Sequence, residues 1–386
     1  MQPPDRKSDT ELYLMDTSQT IENRIEIHLS KAVYQKIKHN DGTNVFLGKP
    51  LTLINGDTVE VKKLHTRGKS TLYLRRKSYS FSLKNKASLN YSGKADEFKK
   101  FYSISLNSDK NYIRNRLAFG LMKEIQLFEL FYSFCEIRIN ETSEGIYLLI
   151  ERPQDWALKK KNSPMVLRRG YGHKIEKIRT AKNMDKTGIN KYKNTYQQIY
   201  KTLNKYEGKL LYDKLSEWID LELYMKWLSF NFLIRNGDYT DEVYFYIDPV
   251  AGIFKIIPWD YDDIFATQPH EGREGMRIDL EAKFIFSGED LLDRKIALDP
   301  FLYQKYLFQL KELLDQLTPF RIKLVFEQTY AELYPFYIDE EIIGMSRYDA
   351  HQNVSINSLS SDLKRLFSGL LATRANCIVY LKNNIK

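Results

Sequence analysis

The stretch Asn236-Gly237-Asp238-Tyr239-Thr240-Asp241-Glu242-Val243-Tyr244-Phe245-Tyr246 is followed, after Asp248-Pro249-Val250-Ala251-Gly252, by Ile253-Phe254-Lys255-Ile256-Ile257-Pro258-Trp259-Asp260-Tyr261-Asp262-Asp263. Two short apolar runs with a Pro/Gly turn between them predict strands Val243–Ile247 and Ile253–Pro258 in a hairpin. A hairpin sets its outer ends side by side. Asp238–Glu242 should therefore meet Asp260–Asp263, and six carboxylates would share one place. Left alone they repel one another and raise each other's pKa. A hard divalent cation with oxygen ligands is the natural partner for such a cluster. Phosphoryl transfer of the kinase type uses this equipment: one acid orients a hydroxyl nucleophile and acids on a neighbouring strand end hold magnesium. A solvated acidic turn is the plainer reading of Asp241 or Asp263 taken singly. Two acidic runs facing each other across a hairpin favour function.

Upstream of this hairpin the chain has helical periodicity over 192–203 and 211–234, with Asn236-Gly237 as a helix stop. Downstream, 289–296, 298–316, 319–333 and 357–383 are predicted helices. The front of the chain carries strand signals. Arg24–Leu29 and Ser78–Leu83 alternate with period two, and Leu51–Ile54, Asn55-Gly56 and Thr58–Val61 form a predicted hairpin through a favoured two-residue turn. These front strands imply an antiparallel sheet. Residues 109–126 are helical in pattern, with Ser108 or Asp109 as cap. Strands are expected at Phe134–Ile139 and Ile146–Ile150. The segment 157–186, rich in Lys, Arg and Gly, has no clear periodicity and is expected to be a loop or a poorly ordered insertion.

This order predicts an α+β fold of two lobes. A polar, disordered or strand-leading N-terminus (residues 1–22) precedes a β-rich N-terminal lobe (23–156). A mainly helical C-terminal lobe (157–386) contains the hairpin region 236–265.

Composition sets the outer limits. The chain has 386 residues, 43% hydrophobic and 28% charged, with a net charge of +9. That is globular composition rather than disordered. The basic balance attracts polyanions, nucleotides or acidic protein segments, although Lys and Arg alternate with acids along most of the chain. The aromatics are not gathered with Lys and Arg in a nucleic-acid motif, which argues against nucleic acid as the partner. No run approaches the roughly 20 apolar residues of a membrane span. The opening Met1-Gln2-Pro3-Pro4-Asp5 lacks the apolar core of a signal peptide. Cys135 and Cys377 fit no zinc spacing, and sequence leaves their redox state open.

The front half offers a complement to the acids. His65-Thr66-Arg67-Gly68-Lys69-Ser70-Thr71 lies between two strands, where a glycine beside small hydroxyl residues can turn backbone amides toward phosphates. Lys77, at the start of the next strand, is placed to reach an α- or β-phosphate. Glu151, closing the apolar run Ile146–Ile150, either pairs with a phosphate-binding cation or forms a structural ion pair with Arg114 or Arg152.

In order along the chain, Arg67-Gly68-x-Ser70, Lys77-Ser78-Tyr79, Asn107–Asn115, Gly145-x-Tyr147-x-x-x-Glu151-Arg152-Pro153, Asn236-Gly237-Asp238 and Pro258-Trp259-Asp260-x-Asp262 resemble the CotH family of spore-coat-type atypical protein kinases. The resemblance covers about 25–380. It implies a divergent protein-kinase-like fold that binds ATP with Mg2+ or Mn2+. It implies Asp238 as catalytic acid, Asp260 as metal ligand with Asp262 assisting, and Arg67, Gly68, Lys69, Ser70, Lys77 and Glu151 around the nucleotide. Family members usually carry Asn where this chain has Glu242, a residue still able to ligate metal. The expected activity is transfer of the ATP γ-phosphate to Ser or Thr of a protein. Alternatives are a nucleotide-binding pseudokinase or scaffold, another ATP-dependent transfer such as that of AMP, and a metal nuclease. By the same resemblance the protein is exported, cell-surface or spore-associated.

Overall fold

A computed structural model describes residues 8–17, 19–39, 41–269, 280–350 and 354–385. The chain divides into two compact units. One comprises 1–119, 130–152 and 323–365, and the other 120–129, 153–322 and 366–386. The mixed α+β class expected from sequence is the one observed. The expectation of disorder at the N-terminus falls partly on residues 1–7, which lie outside the described residues. From there Ser8–Thr10 forms a single 3-10 turn and Leu12 is buried.

The first unit is built on a nine-stranded sheet. Its strands in chain order are β1 (Arg24–His28), β2 (Phe46–Gly48), β3 (Leu51–Ile54), β4 (Asp57–Val59), β5 (Val61–Arg67), β6 (Ser78–Tyr91), β7 (Lys94–Ile104), β8 (Tyr132–Ile139) and β9 (Thr142–Glu151). They lie in the order β2-β5-β6-β7-β9-β8-β1-β3-β4. The Asn55-Gly56 turn closes β3 onto β4, with Asn55 at φ 55° and Gly56 at φ 90°. Both angles belong to the turn that matches strand twist. One feature departs from the all-antiparallel expectation: β1 pairs parallel to β8. Alternation within a strand reports which face is buried and not the direction of its neighbour. Ile25, Ile27, Leu64, Tyr79, Phe81, Phe101, Ile137, Tyr147 and Leu149 form the buried face of this sheet. Here the helix Arg114–Glu124 begins beneath an Asp109 cap, whose carboxylate accepts from the N–H groups of Arg114 (2.8 Å) and Asn115 (3.0 Å).

The second unit carries a four-stranded sheet and most of the helices. Segment 157–186, expected as a loop or insertion, is ordered instead as β10 (Met165–Gly170) and β11 (Lys174–Thr180). Met165, Val166 and Leu167 are buried in succession. A strand covered on both faces reads as a continuous apolar run without alternation, and this one is only three residues long. The predicted hairpin is present as β12 (Val243–Ile247) and β13 (Phe254–Pro258), and the sheet order is β11-β10-β12-β13. The apolar run 211–234 is not one helix. Gly208–Ser216 ends before Leu221–Leu233, which Asp220 caps through Leu223 N–H at 3.1 Å. The later helix is almost wholly buried and delivers the chain to Asp238.

Candidate functional site

The helix Leu221–Leu233 ends before the expected stop at Asn236-Gly237. Arg235 (φ 50°) takes the left-handed conformation past its end. From there the chain is laced to the segment that follows β13. Phe265 N–H donates to Ile234 O (2.8 Å), Ala266 N–H to Arg235 O (3.0 Å) and Gly237 N–H to Asp263 O (2.9 Å). The Asn236 amide donates to Asn231 Oδ1 (3.0 Å), and its Oδ1 accepts from Asp238 N–H (3.2 Å). The loop bearing Asp238 is thus fixed on both sides. Across the hairpin Val243 pairs with Pro258, and Asp260, two residues further on, has φ 54°. A left-handed Asp is uncommon and persists where surrounding structure enforces it.

Four of the six acids bear on one another, Asp238, Asp241, Glu242 and Asp260. Burial pushes the Glu242 carboxyl well above the usual range, and repulsion from Asp260, Asp241 and Asp238 adds to this, while Arg168 opposes it. Arg168 Nη2 lies 2.5 Å from Glu242 Oε1. Its Nε reaches Glu176 at 3.1 Å and donates to Asp241 O at 3.2 Å. Glu242 Oε2 is buried and accepts no hydrogen bond. Buried acceptors seldom stay unsatisfied without a reason such as a bound ion. The hard oxygen donors and this orphaned atom suit magnesium or manganese. Among the described residues no three His, Cys, Asp or Glu are assembled to hold an ion on their own. Magnesium carried by a nucleotide takes one or two carboxylates, its other ligands being phosphates and water, so the donor set fits that use. Asp262, the other expected ligand, is half-buried two residues beyond Asp260.

Beneath this loop lies a polar network that sequence inspection missed. Arg169 is fully buried, and its Nε donates to Thr240 O (2.5 Å) while Nη1 donates to Tyr224 OH (2.8 Å) and pairs with Asp290 (3.3 Å). Tyr224 donates onward to Asp293 (2.6 Å), and Tyr239 donates to Ser287 O (2.9 Å). Burial pushes the Asp293 carboxyl up to about 7. No signal near Asp238 announces these anchors. Arg169 sat in the segment expected as a loop, Tyr224 lies within the preceding helix, and Ser287, Asp290 and Asp293 are more than 45 residues downstream of Asp238.

The candidate phosphate elements belong to the other unit. Arg67 closes β5 and lies over the Tyr102 ring at 4.0 Å. Gly68 has φ 128°, and a Cβ there would meet Thr71 Oγ1. This position therefore demands glycine. Lys69 is exposed, and Ser70 opens the 3-10 turn Ser70–Tyr73. Lys77 is buried, and its ammonium donates to Leu72 O (2.5 Å) and Leu74 O (2.6 Å), clamping the turn that follows Gly68. Burial lowers its pKa. Glu151 is buried at the end of β9, opposite Phe101. The neighbouring Arg76, which the sequence pass did not single out, is fully buried. It donates to Glu144 O (2.7 Å) and Ile146 O and pairs with Asp349.

The site is thus an acidic loop laced to a strand end on an α+β scaffold. Residues 64–355 match the family described as CotH kinase protein, and the chain belongs to that family. It is 21% identical over 187 residues to the inner spore coat protein H of Bacillus subtilis (strain 168), covering 44% of this chain and 52% of that relative. The chain thus spans about half the length of the curated relative it matches. Among solved structures, a complex of Shewanella oneidensis MR-1 toxin–antitoxin proteins HipA and HipB with operator DNA overlays 97% of this chain and 75% of the matched chain. It does so at 11% identity and a TM-score of 0.33, which carries no argument here. Among the described residues no helix is long and apolar enough to cross a membrane.

Proposed function

We propose that this protein is an ATP-dependent phosphotransferase that phosphorylates Ser or Thr hydroxyls of a protein. The carrying observation is the convergence of Asp238, Asp241 and Asp260 on Glu242, whose buried Oε2 has no partner. Membership of the CotH kinase family supports the same reading. Asp238 orients the acceptor hydroxyl and takes its proton as the oxygen bonds to the γ-phosphorus, while the bond to the β–γ bridging oxygen breaks and ADP leaves. Asp260, with Glu242 or Asp262, would hold magnesium or manganese, which supplies neutralising charge at the phosphates. Arg67, Lys69, Lys77, Glu151 and the Gly68–Ser70 backbone are the candidates for the nucleotide. The spore-coat name of the Bacillus subtilis relative suggests spore association for this chain too.

The Arg168–Glu242 ion pair favours a second reading, a nucleotide-binding protein without turnover, because it occupies one of the carboxylates. Purified protein incubated with magnesium or manganese and γ-labelled ATP, beside Asp238→Ala and Asp260→Ala, separates the two. Label on protein that both variants lose supports the kinase. Metal-dependent nucleotide binding without label supports the second reading. Label from α-labelled ATP instead would indicate AMP transfer and overturn both.

A further inference from the structure

Charge is not spread evenly along the second unit. Residues 159–186 hold ten Lys and Arg and only two acids, Glu176 and Asp185, in a chain whose net charge is +9. Arg168 and Arg169 turn inward, as described above. The remaining eight are exposed. Three of them lie on β11, which among the described residues pairs only with β10 and forms an edge of its sheet. A bulge opposite Arg168 and Arg169 leaves Glu176 out of register, and Glu176 folds back to Arg168. The rest of the strand sorts by face: Ile175, Ile178 and Thr180 are half-buried, and Lys174, Lys177 and Arg179 are exposed. None of these three cations pairs with an acid among the described residues.

The free rim of the strand can be read from its ladder. Ala181 N–H donates to Pro164 O (2.9 Å), and Met165 lies opposite Thr180. Alternation in an antiparallel pair then aims the main-chain N–H and C=O of Thr180 and Ile178 outward. An edge with unsatisfied backbone groups accepts an added strand. Lysines on an edge also guard against unwanted pairing, and that is the plainer reading of any one of them. A guard needs few charges. Here three outward cations stand on one strand whose one acid, Glu176, is held by Arg168, and Lys161 and Lys182 are exposed just before β10 and just after β11. Such an edge rejects neutral and basic strands and attracts acidic ones. The backbone rim is what distinguishes a polypeptide from other polyanions, which have no use for alternating donors and acceptors.

We propose that the outer edge of β11 docks an extended acidic segment of a partner protein, paired through the main chain of Ile178 and Thr180 and selected by Lys174, Lys177 and Arg179. This concerns binding, and it does not rest on the phosphotransferase reading. The probe is a short fluorescent peptide alternating Glu with Val or Thr, titrated by anisotropy. The controls are the same peptide N-methylated at alternate amides and a single-stranded oligonucleotide of matched charge. The peptide should bind the wild-type chain. The double variant Lys177→Glu/Arg179→Glu should weaken it about tenfold or more. Thr180→Pro, which removes one outward N–H and keeps the charges, should weaken it as well, with thermal melting of both variants checked against wild type. Asp238→Ala protein should bind the peptide as wild type does, whether or not either transfers phosphate. Absence of binding overturns the proposal. Equal affinity for the N-methylated peptide or the oligonucleotide also overturns it and leaves a non-specific basic patch.

Discussion

Arg168 Nη2 stands 2.5 Å from Glu242 Oε1, so a cation on β10 grips the carboxylate at the centre of the acidic cluster. The two strands are direct neighbours, with Arg168 paired to Tyr244. This contact keeps a buried Glu tolerable beside three Asp residues. Removing the cation leaves that charge uncompensated, which costs far more than the pair itself contributes. Arg168→Leu should lower unfolding stability by on the order of 2–3 kcal/mol, the pair being mostly but not fully buried. Adding Glu242→Gln should restore most of that loss. A double-mutant cycle by urea denaturation measures it, and simple additivity would show that the two side chains do not act together.

In the first unit the corresponding feature is Arg76, fully buried against Asp349, Glu144 O and Ile146 O. Its guanidinium also lies 5.0 Å from the Tyr147 ring. Arg76→Lys keeps the charge and loses the planar fork that meets several acceptors at once. The expected loss is about 3 kcal/mol or more. Asp349→Asn should cost less, because the guanidinium keeps its two carbonyl partners. An equal loss in both variants would mean that the ion pair alone matters.

Gly68 offers a local test of the phosphate-turn assignment. Its φ of 128° is closed to side chains, and Thr71 occupies the space a Cβ would need. Gly68→Ala should cost on the order of 1–3 kcal/mol in stability through backbone strain. Nucleotide affinity should fall further than that loss explains. Calorimetric titration with ATP and magnesium at a temperature where the variant is fully folded checks this. Unchanged affinity would remove the 68–70 turn from the nucleotide site.

Asp109 makes a pH prediction. Burial pushes its carboxyl up to about 6 from an ordinary 3.8, against the hydrogen bonds from Arg114 and Asn115 that pull it down. The folded protein therefore holds a proton that the unfolded chain has released across this interval. Stability from this group is fully present below about pH 4 and lost as pH rises through 6, amounting to at most about 3 kcal/mol. Asp109→Asn should flatten that part of the stability profile, measured as urea midpoints between pH 4 and 7. A profile of unchanged slope in the variant would assign the dependence to other groups.

The hairpin of β12 and β13 was legible in sequence because its signals are local: two apolar runs, a Pro/Gly turn and acids at the outer ends. The Asn55-Gly56 turn was legible for the same reason. β10 was not, since three consecutive buried residues followed by two arginines show no alternation. The parallel pairing of β1 with β8 joins residues more than 100 positions apart and leaves no trace in either strand. The anchoring of the acidic loop escaped for a related cause. Arg169, Tyr224, Asp290 and Asp293 each look like ordinary members of their own segments, and only packing brings them together. Lys77 shows the converse limit. It stands directly before β6 rather than within it, and the direction of its ammonium, into the carbonyls of Leu72 and Leu74, was set by a turn that sequence did not define.

The resemblance to the CotH family sets an expectation of Asn at position 242, and substituting Glu242 is the most direct way to ask what that difference does. Glu242→Asn removes one negative charge from a place already repelled by Asp260, Asp241 and Asp238. It also frees Arg168 from its partner, which remains bound to Glu176 and to Asp241 O. The variant keeps an oxygen donor for a cation. Its stability should therefore stay within about 1 kcal/mol of wild type, relief of repulsion offsetting the lost ion pair. If the Arg168–Glu242 pair holds turnover back, γ-label incorporation should rise in Glu242→Asn while nucleotide affinity changes little. If Glu242 itself serves the metal, incorporation should fall and the preference between manganese and magnesium should shift. An unchanged rate with either metal would place Glu242 outside the chemistry and leave Asp260 and Asp262 as the metal candidates.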